Sequence, residues 1–153
     1  MALTTDVIVG FPGETEELHQ ELVDFVNEMK FDRLGVFTYS KEEDTPAAKL
    51  KGQITKKVKE ARKKELMEAQ QAIAFEHAKS MIGKELEVMI EGKLPEEGDE
   101  PGEAVYIGRT YMDAPNIDGY IFVATENIEI ISGSFAKVKV VDANGYDLIG
   151  ELI

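Results

Sequence analysis

Near Gly83 the apolar residues of this chain change their period. Before it they recur every three or four positions between two short β-branched runs; after it they alternate across several short segments. No single layer of secondary structure serves both patterns, because the first builds helices over a short parallel pair and the second a sheet that covers itself. The chain is therefore read as two domains, residues 1–81 of α/β class and residues 82–153 of all-β class.

In the first part, Leu3–Val9 reads as a strand, mostly β-branched and apolar on both faces, the pattern of a strand buried on both sides. The turn Gly10-Phe11-Pro12-Gly13-Glu14 ends it. Thr15 is the expected N-cap, and Glu16 and Glu17 fall in the first turn, where the helix dipole favours carboxylates. Leu18, Leu22, Phe25, Val26 and Met29 recur at helical spacing, giving a helix over Thr15–Lys30, and Leu34–Tyr39 reads as a second strand. Strand, crossover helix and strand of this length form a right-handed βαβ unit with a parallel pair. The polar stretch SKEEDTPAAKLKG passes over one end of that sheet. Thr55 caps a long helix reaching Met81, with Val58, Ala61, Leu66, Ala69, Ile73 and Met81 among its apolar positions. Its first half, KKVKEARKKE, is basic, either as a solvated face or as a binding patch.

In the second part, KELEVMIEG, EAVYIGRTY, GYIFVATE, FAKVKVVDA and YDLIGELI are five short strands separated by Gly, Pro and Asn-Gly signals, with Asn144-Gly145 suited to a tight hairpin. Five strands with no helix to cover them predict a small closed β-barrel of the oligonucleotide-binding type. The segment LPEEGDEPGE is too acidic and proline-rich for a strand.

Charge and composition narrow the chemistry. The formal net charge is −13, unevenly spread: residues 1–81 carry 15 Asp and Glu against 12 Lys and Arg, residues 82–153 carry 15 against 5. Such an acidic C-terminal half suits solubility or a basic partner better than a phosphate backbone, whose affinity rests on Lys and Arg. There is no cysteine, which excludes a disulfide framework, a cysteine nucleophile and a cysteine-ligated cluster within these residues. His19 and His77 are the only histidines and both fall on helices, so no Ser–His–Asp set is suggested; GFPGE lacks the Lys and Ser/Thr of a phosphate-binding loop. No apolar run has the length of a membrane span and no signal peptide is visible, so a cytoplasmic location is expected.

Four stretches in order, VIVGFPGETEE, FDRLGVFTYSKEEDTPAAKL, GRTYMDAPNIDG and VDANGYDLIGELI, resemble the C-terminal part of the ribosomal protein uS12 methylthiotransferases. FTYSKEEDTPAA and RTYMDAPNIDG are the most specific, and the resemblance covers nearly the whole chain. One departure is Asp44, where the family often carries glycine. The resemblance implies a partial TIM-like radical S-adenosylmethionine barrel, beginning at its fifth strand with Leu3–Val9 and continuing with Leu34–Tyr39 as the sixth, followed by a TRAM β-barrel. It implies addition of a methylthio group to an aspartate β-carbon of uS12, using S-adenosylmethionine and two 4Fe–4S clusters held by cysteines upstream, so that this segment alone is inactive.

On the same resemblance, Gly10, Phe11, Pro12 and Gly13 lie beside the adenosyl group, with Phe37 and Tyr39 lining the pocket or packing in the barrel interior. Glycine admits close backbone approach and an apolar neighbour covers a purine face. Arg109, Tyr111, Asp113 and Asp118, in the loop around Pro115, face the substrate or serve as ordinary hairpin chemistry. The expected partner is the basic ribosomal protein, met by acidic residues such as Glu96, Glu97, Asp99, Glu100, Asp113 and Asp118. Self-association is expected through the residue 1–40 strands. Two other readings stand beside this one: a tRNA methylthiotransferase with an RNA-binding TRAM domain, and a free-standing acidic interaction module. An RNA-gripping barrel wants Lys, Arg and exposed aromatics, whereas residues 82–153 offer only Lys84, Lys93, Arg109, Lys137 and Lys139 as cations.

Overall fold

A computed structural model describes residues 2–95, 104–114, 118–126 and 130–153. They divide into two units, residues 2–74 and 75–153.

In the first unit, β1 (Thr4–Val9) and β2 (Arg33–Thr38) pair in parallel, joined by α1 (Glu16–Met29). Thr15 caps α1 as expected, its hydroxyl accepting from the Leu18 N–H at 3.3 Å. Lys30 closes the helix in the left-handed region at φ 48°, its N–H donating to the Val26 carbonyl. The buried side of the helix is His19, Val23 and Val26, whereas Leu18, Phe25 and Met29 are exposed. Of the apolar positions expected from the spacing, Val26 is buried and Leu22 packs against the core, while the other three face out. His19 tolerates burial because its Nε2 lies 2.8 Å from Glu65 Oε2.

The sheet shows the same one-sidedness. Val9, Leu34 and Val36, with Val7 at their edge, pack with Val23, Val26, Leu66 and Ile73 into one core. On the other face Ile8 stands beside Phe37 in register, and both are more than half exposed, at 58% and 56%. Apolar residues on both faces of β1 therefore do not translate into burial on both faces here.

After β2 a short 3-10 turn, Ala47–Lys49, precedes α2 (Lys56–Ser80). Asp44 adopts φ 65°, the left-handed region that glycine occupies without strain, so a glycine of the kind the resemblance led one to expect here would fit this backbone. On α2 the apolar reading is again partly misplaced. Val58 and Ala61 are exposed, while Arg62, Leu66, Gln70, Ile73 and Ala74 are the buried set. Gln70 is admitted because its amide donates to the Phe31 carbonyl at 2.8 Å.

The second unit is a closed barrel in the order β3-β4-β5-β7-β6, from β3 (Glu85–Lys93), β4 (Ala104–Arg109), β5 (Ile121–Thr125), β6 (Phe135–Asn144) and β7 (Asp147–Leu152). All pairs are antiparallel except β5 with β7. These are the five strands expected from the alternation, within a residue or two at most ends. Inward positions supply the core: Leu86, Val88, Ile90, Ala104, Tyr106, Ile121, Val123, Val138, Val140 and Leu148, with Met81 below them. Register shifts at Ile90/Gly92 and Val140/Asp142 bend the long strands, as closing so small a barrel requires. The β6–β7 hairpin turns on Gly145-Tyr146, one residue later than Asn144-Gly145, with Gly145 at φ 64°.

Candidate functional site

Ligands of α/β units bind at the carboxyl ends of parallel strands, and that end of β1 and β2 holds the most organised polar cluster among the described residues. β1 is followed by Gly10 at φ 73°, and Gly13 comes next in the left-handed region at φ 90°. The Glu14 N–H donates to the Phe11 carbonyl at 3.0 Å, closing a four-residue turn, and the Gly13 N–H donates to the Gly52 carbonyl at 3.0 Å. A Cβ added at Gly13 would meet nothing within 4 Å, so the backbone there borders open space. Phe11 meets Tyr39 edge-on with ring centroids 5.2 Å apart, and the Tyr39 N–H extends the ladder to the Val9 carbonyl at 2.8 Å.

Charged groups lock this turn from beneath. Glu14 Oε1 accepts from the Gly10 N–H at 3.0 Å and from Arg62 Nη1 at 2.6 Å, while Arg62 Nη2 reaches Glu16 Oε2 at 3.1 Å. Burial opposes charge on Arg62, but the Glu16 and Glu14 acceptors outweigh it and hold the guanidinium above its ordinary value. One turn earlier on α2, Lys59 Nζ donates to the Tyr39 carbonyl at 2.7 Å and lies 5.2 Å from the Tyr39 ring centroid.

The expected cofactor residues Gly10, Phe11, Pro12, Gly13 and Tyr39 are thus drawn together. Phe37 is not among them: its ring folds back over Gly35, where an added Cβ would lie 3.1 Å from Phe37 Cε2 and would overlap the Asp6 carboxylate. Glu14, Gly52, Lys59 and Arg62 escaped the sequence reading. Glu14 and Arg62 are 48 residues apart, and KKVKEARKKE carries too many cations to single out the buried one.

At the barrel, Arg109 ends β4 with Nε 3.0 Å from Glu91 Oε1 and Nη2 3.7 Å from Met89 Sδ. Tyr111 is 61% exposed. Asp113 Oδ2 accepts from the Thr110 hydroxyl at 2.6 Å and its N–H at 3.2 Å, and Asp118 Oδ2 accepts from the Ala114 N–H at 2.7 Å. Both carboxylates therefore accept hydrogen bonds from within their own loop. Glu96, Glu97, Asp99, Glu100 and Pro115, and with the first four most of LPEEGDEPGE, lie outside the described residues. On the outer face of β3 and β6, Glu85 stands opposite Lys139 and Glu87 opposite Lys137. Among the described residues no group of three or more His, Asp or Glu could hold a metal ion, and no helix is long and apolar enough to cross a membrane.

Comparison with known proteins follows the same division. Residues 82–153 match the TRAM domain. Along its length the chain is 67% identical to the ribosomal protein uS12 methylthiotransferase RimO of Lachnoclostridium phytofermentans, over 98% of this chain and 32% of that protein. It is 50% identical to the RimO of Caldanaerobacter subterraneus, over 99% of this chain and 33% of the relative, and 49% identical to that of Carboxydothermus hydrogenoformans, over 100% and 33%. The chain thus spans about a third of the length of the curated relatives it matches. Residues 82–153 are thus similar to TRAM domains, and the chain as a whole is similar to about a third of the length of ribosomal protein uS12 methylthiotransferases.

Proposed function

We propose that this segment serves a methylthiotransferase acting on ribosomal protein uS12, in which residues 2–74 form the end of a radical S-adenosylmethionine barrel and the TRAM domain receives the substrate. The observation that carries the reading is the 67% identity over 98% of the chain to a protein of that name.

The residues present fit one of the implied cofactors and not the other. With no cysteine they do not fit a 4Fe–4S cluster. They do fit an adenosyl group: Gly13 offers unobstructed backbone, Phe11 and Tyr39 offer aromatic surface, and the buried Tyr39 hydroxyl has no hydrogen-bond partner among the described residues. S-adenosylmethionine supplies the radical and methyl chemistry that no side chain here could perform. The work of this chain's residues is to bind and orient: the glycine turn to admit the nucleoside, Tyr39 to meet it from the second strand.

For the substrate, the register of the barrel supports a protein over tRNA. Lys137 and Lys139 each face a glutamate across the sheet, and Arg109 is matched by Glu91, so these three cations are locally offset rather than arrayed for phosphates. Exposed pairs of this kind contribute about 0–1 kcal/mol each, so attraction to a basic protein rests on the summed field. A titration of the 153-residue chain against uS12 and against tRNA, at low and moderate salt, tests this. Weak, strongly salt-dependent binding to uS12 is expected; tight tRNA binding with no affinity for uS12 would assign the domain to RNA.

A further inference from the structure

We propose that Lys59 and Arg62, one turn apart on α2, are positioning residues that hold the Gly10–Glu14 turn in the shape that admits the adenosyl group. The inference rests on the reading of that turn as cofactor-facing and adds to it the device that fixes the turn.

Among the described residues the turn's one internal backbone bond, Glu14 to Phe11, and its single backbone tie outward, Gly13 to Gly52, leave Gly10 unheld by backbone, and Gly10 and Gly13 have more freedom than any other residue. α2 removes that freedom at two points. Arg62 binds the oxygen of Glu14 that accepts the Gly10 N–H, so one carboxylate oxygen ties the first residue of the turn to the helix. It also meets the Glu14 carbonyl at 3.3 Å. Lys59 lays its stem across Gly10, where an added Cβ would overlap Lys59 Cγ, and ends on the Tyr39 carbonyl. Gly10 is thereby confined between its own hydrogen bond and an aliphatic stem, and the first residue after β2 is fixed by the same lysine. The two sides of the nucleoside site, Gly10 and Tyr39, are thus spaced by a single side chain.

The second observation is burial. Arg62 is 7% exposed and Glu14 has only 12% of its side chain exposed. Desolvating a charge is costly unless a specific geometry is gained, and a solvated basic helix face gives no reason to bury this one arginine among its neighbours.

Lys59→Met is the informative variant, because it keeps the stem and the Glu14–Arg62 pair and removes only the tie to Tyr39; Arg62→Lys, which keeps charge but loses the fork, is the second. In the 153-residue chain, amide hydrogen exchange at Gly10 and Gly13 should quicken about tenfold in either variant while Val23 and Val26 in α1 are unchanged. In a full-length methylthiotransferase carrying this segment, S-adenosylhomocysteine should bind about tenfold more weakly to the Lys59→Met enzyme, and Lys59→Arg should restore most of the affinity. Unchanged exchange, or quickened exchange with unchanged affinity, overturns the positioning role. The underlying reading is judged separately: in the unmutated enzyme S-adenosylhomocysteine must slow exchange at residues 10–14, and its failure to do so removes the cofactor assignment itself.

Discussion

Among the described residues each strand of the barrel has a hydrogen-bonded neighbour on both sides, whereas β1 and β2 have one apiece. Both regions are built from similar Val- and Ile-rich runs, yet Val88, Ile90, Ile121 and Val123 are wholly enclosed while Ile8 and Phe37 lie open. The difference teaches that apolar content stabilises a strand only through the faces its neighbours cover. In the barrel, closure supplies the cover. In the βαβ unit, α1 and α2 cover one face, and the other presents apolar surface of the kind that marks an interface.

The largest expected effect breaks this contrast from the barrel side. Ile121→Ala removes a wholly buried side chain from the barrel centre and should cost about 4 kcal/mol. Phe37→Ala deletes a larger side chain but, from an open face, should cost less than about 1 kcal/mol. Chemical denaturation of the two variants beside the parent chain measures both. Equal losses would mean that Phe37 is covered in solution.

The contrast also explains what could be read from the sequence. Period alone located every strand and both helices, because alternation and helical spacing are local properties. Which stripe of α1 faces inward was not local: Leu18, Phe25 and Met29 are as apolar as Val23 and Val26, and only the distant Glu65 makes His19 a good buried neighbour. For the same reason Arg62 and Gln70 read as surface residues, since their partners Glu14 and Phe31 lie a whole βαβ unit away. The glycine turn was legible because positive φ needs glycine. Its supports on α2 were not, because a lysine or arginine in a basic run carries no mark of burial. Asp113 and Asp118 were legible as loop residues from their Pro and Gly neighbours, whereas the bonds they accept from Thr110 and Ala114 were not.

A second test sharpens the comparison at the open face. The 153-residue chain should self-associate through residues 1–40, where Ile8 and Phe37 sit side by side and, among the described residues, β1 and β2 each leave an edge unpaired. Ile8→Ser with Phe37→Ser should reduce association by about tenfold or more in dissociation constant. Phe135→Ser, which removes a still more exposed aromatic from the barrel, should leave it unaltered. Sedimentation over a wide concentration range distinguishes the two. A strict monomer at high concentration with β1 and β2 well ordered would show that the open face is harmless.

The smallest effect concerns how the βαβ unit holds the helix that covers its sheet. Thr15 caps α1, and Thr15→Ala should cost about 1 kcal/mol. The Glu17 carboxylate reports on the same cap: a backbone hydrogen bond at its own residue, and then the Thr15 side chain, hold it below the ordinary value of 4.5, with burial a small opposing influence. The sign follows from linkage. A carboxylate held below its unfolded value favours the fold while ionised, so its contribution is complete above pH 4.5 and disappears as pH falls through the lowered value. Acidification from neutral pH should therefore loosen the first turn of α1, seen in faster exchange at Leu18 and His19, before the barrel strands respond. In Thr15→Ala the Glu17 titration, followed by carboxyl NMR shift, should move back toward 4.5, as expected when one of its two acceptor bonds is lost. If it titrates identically with and without the threonine hydroxyl, the cap is not what holds that carboxylate, and the first turn of α1 is fixed by its backbone alone.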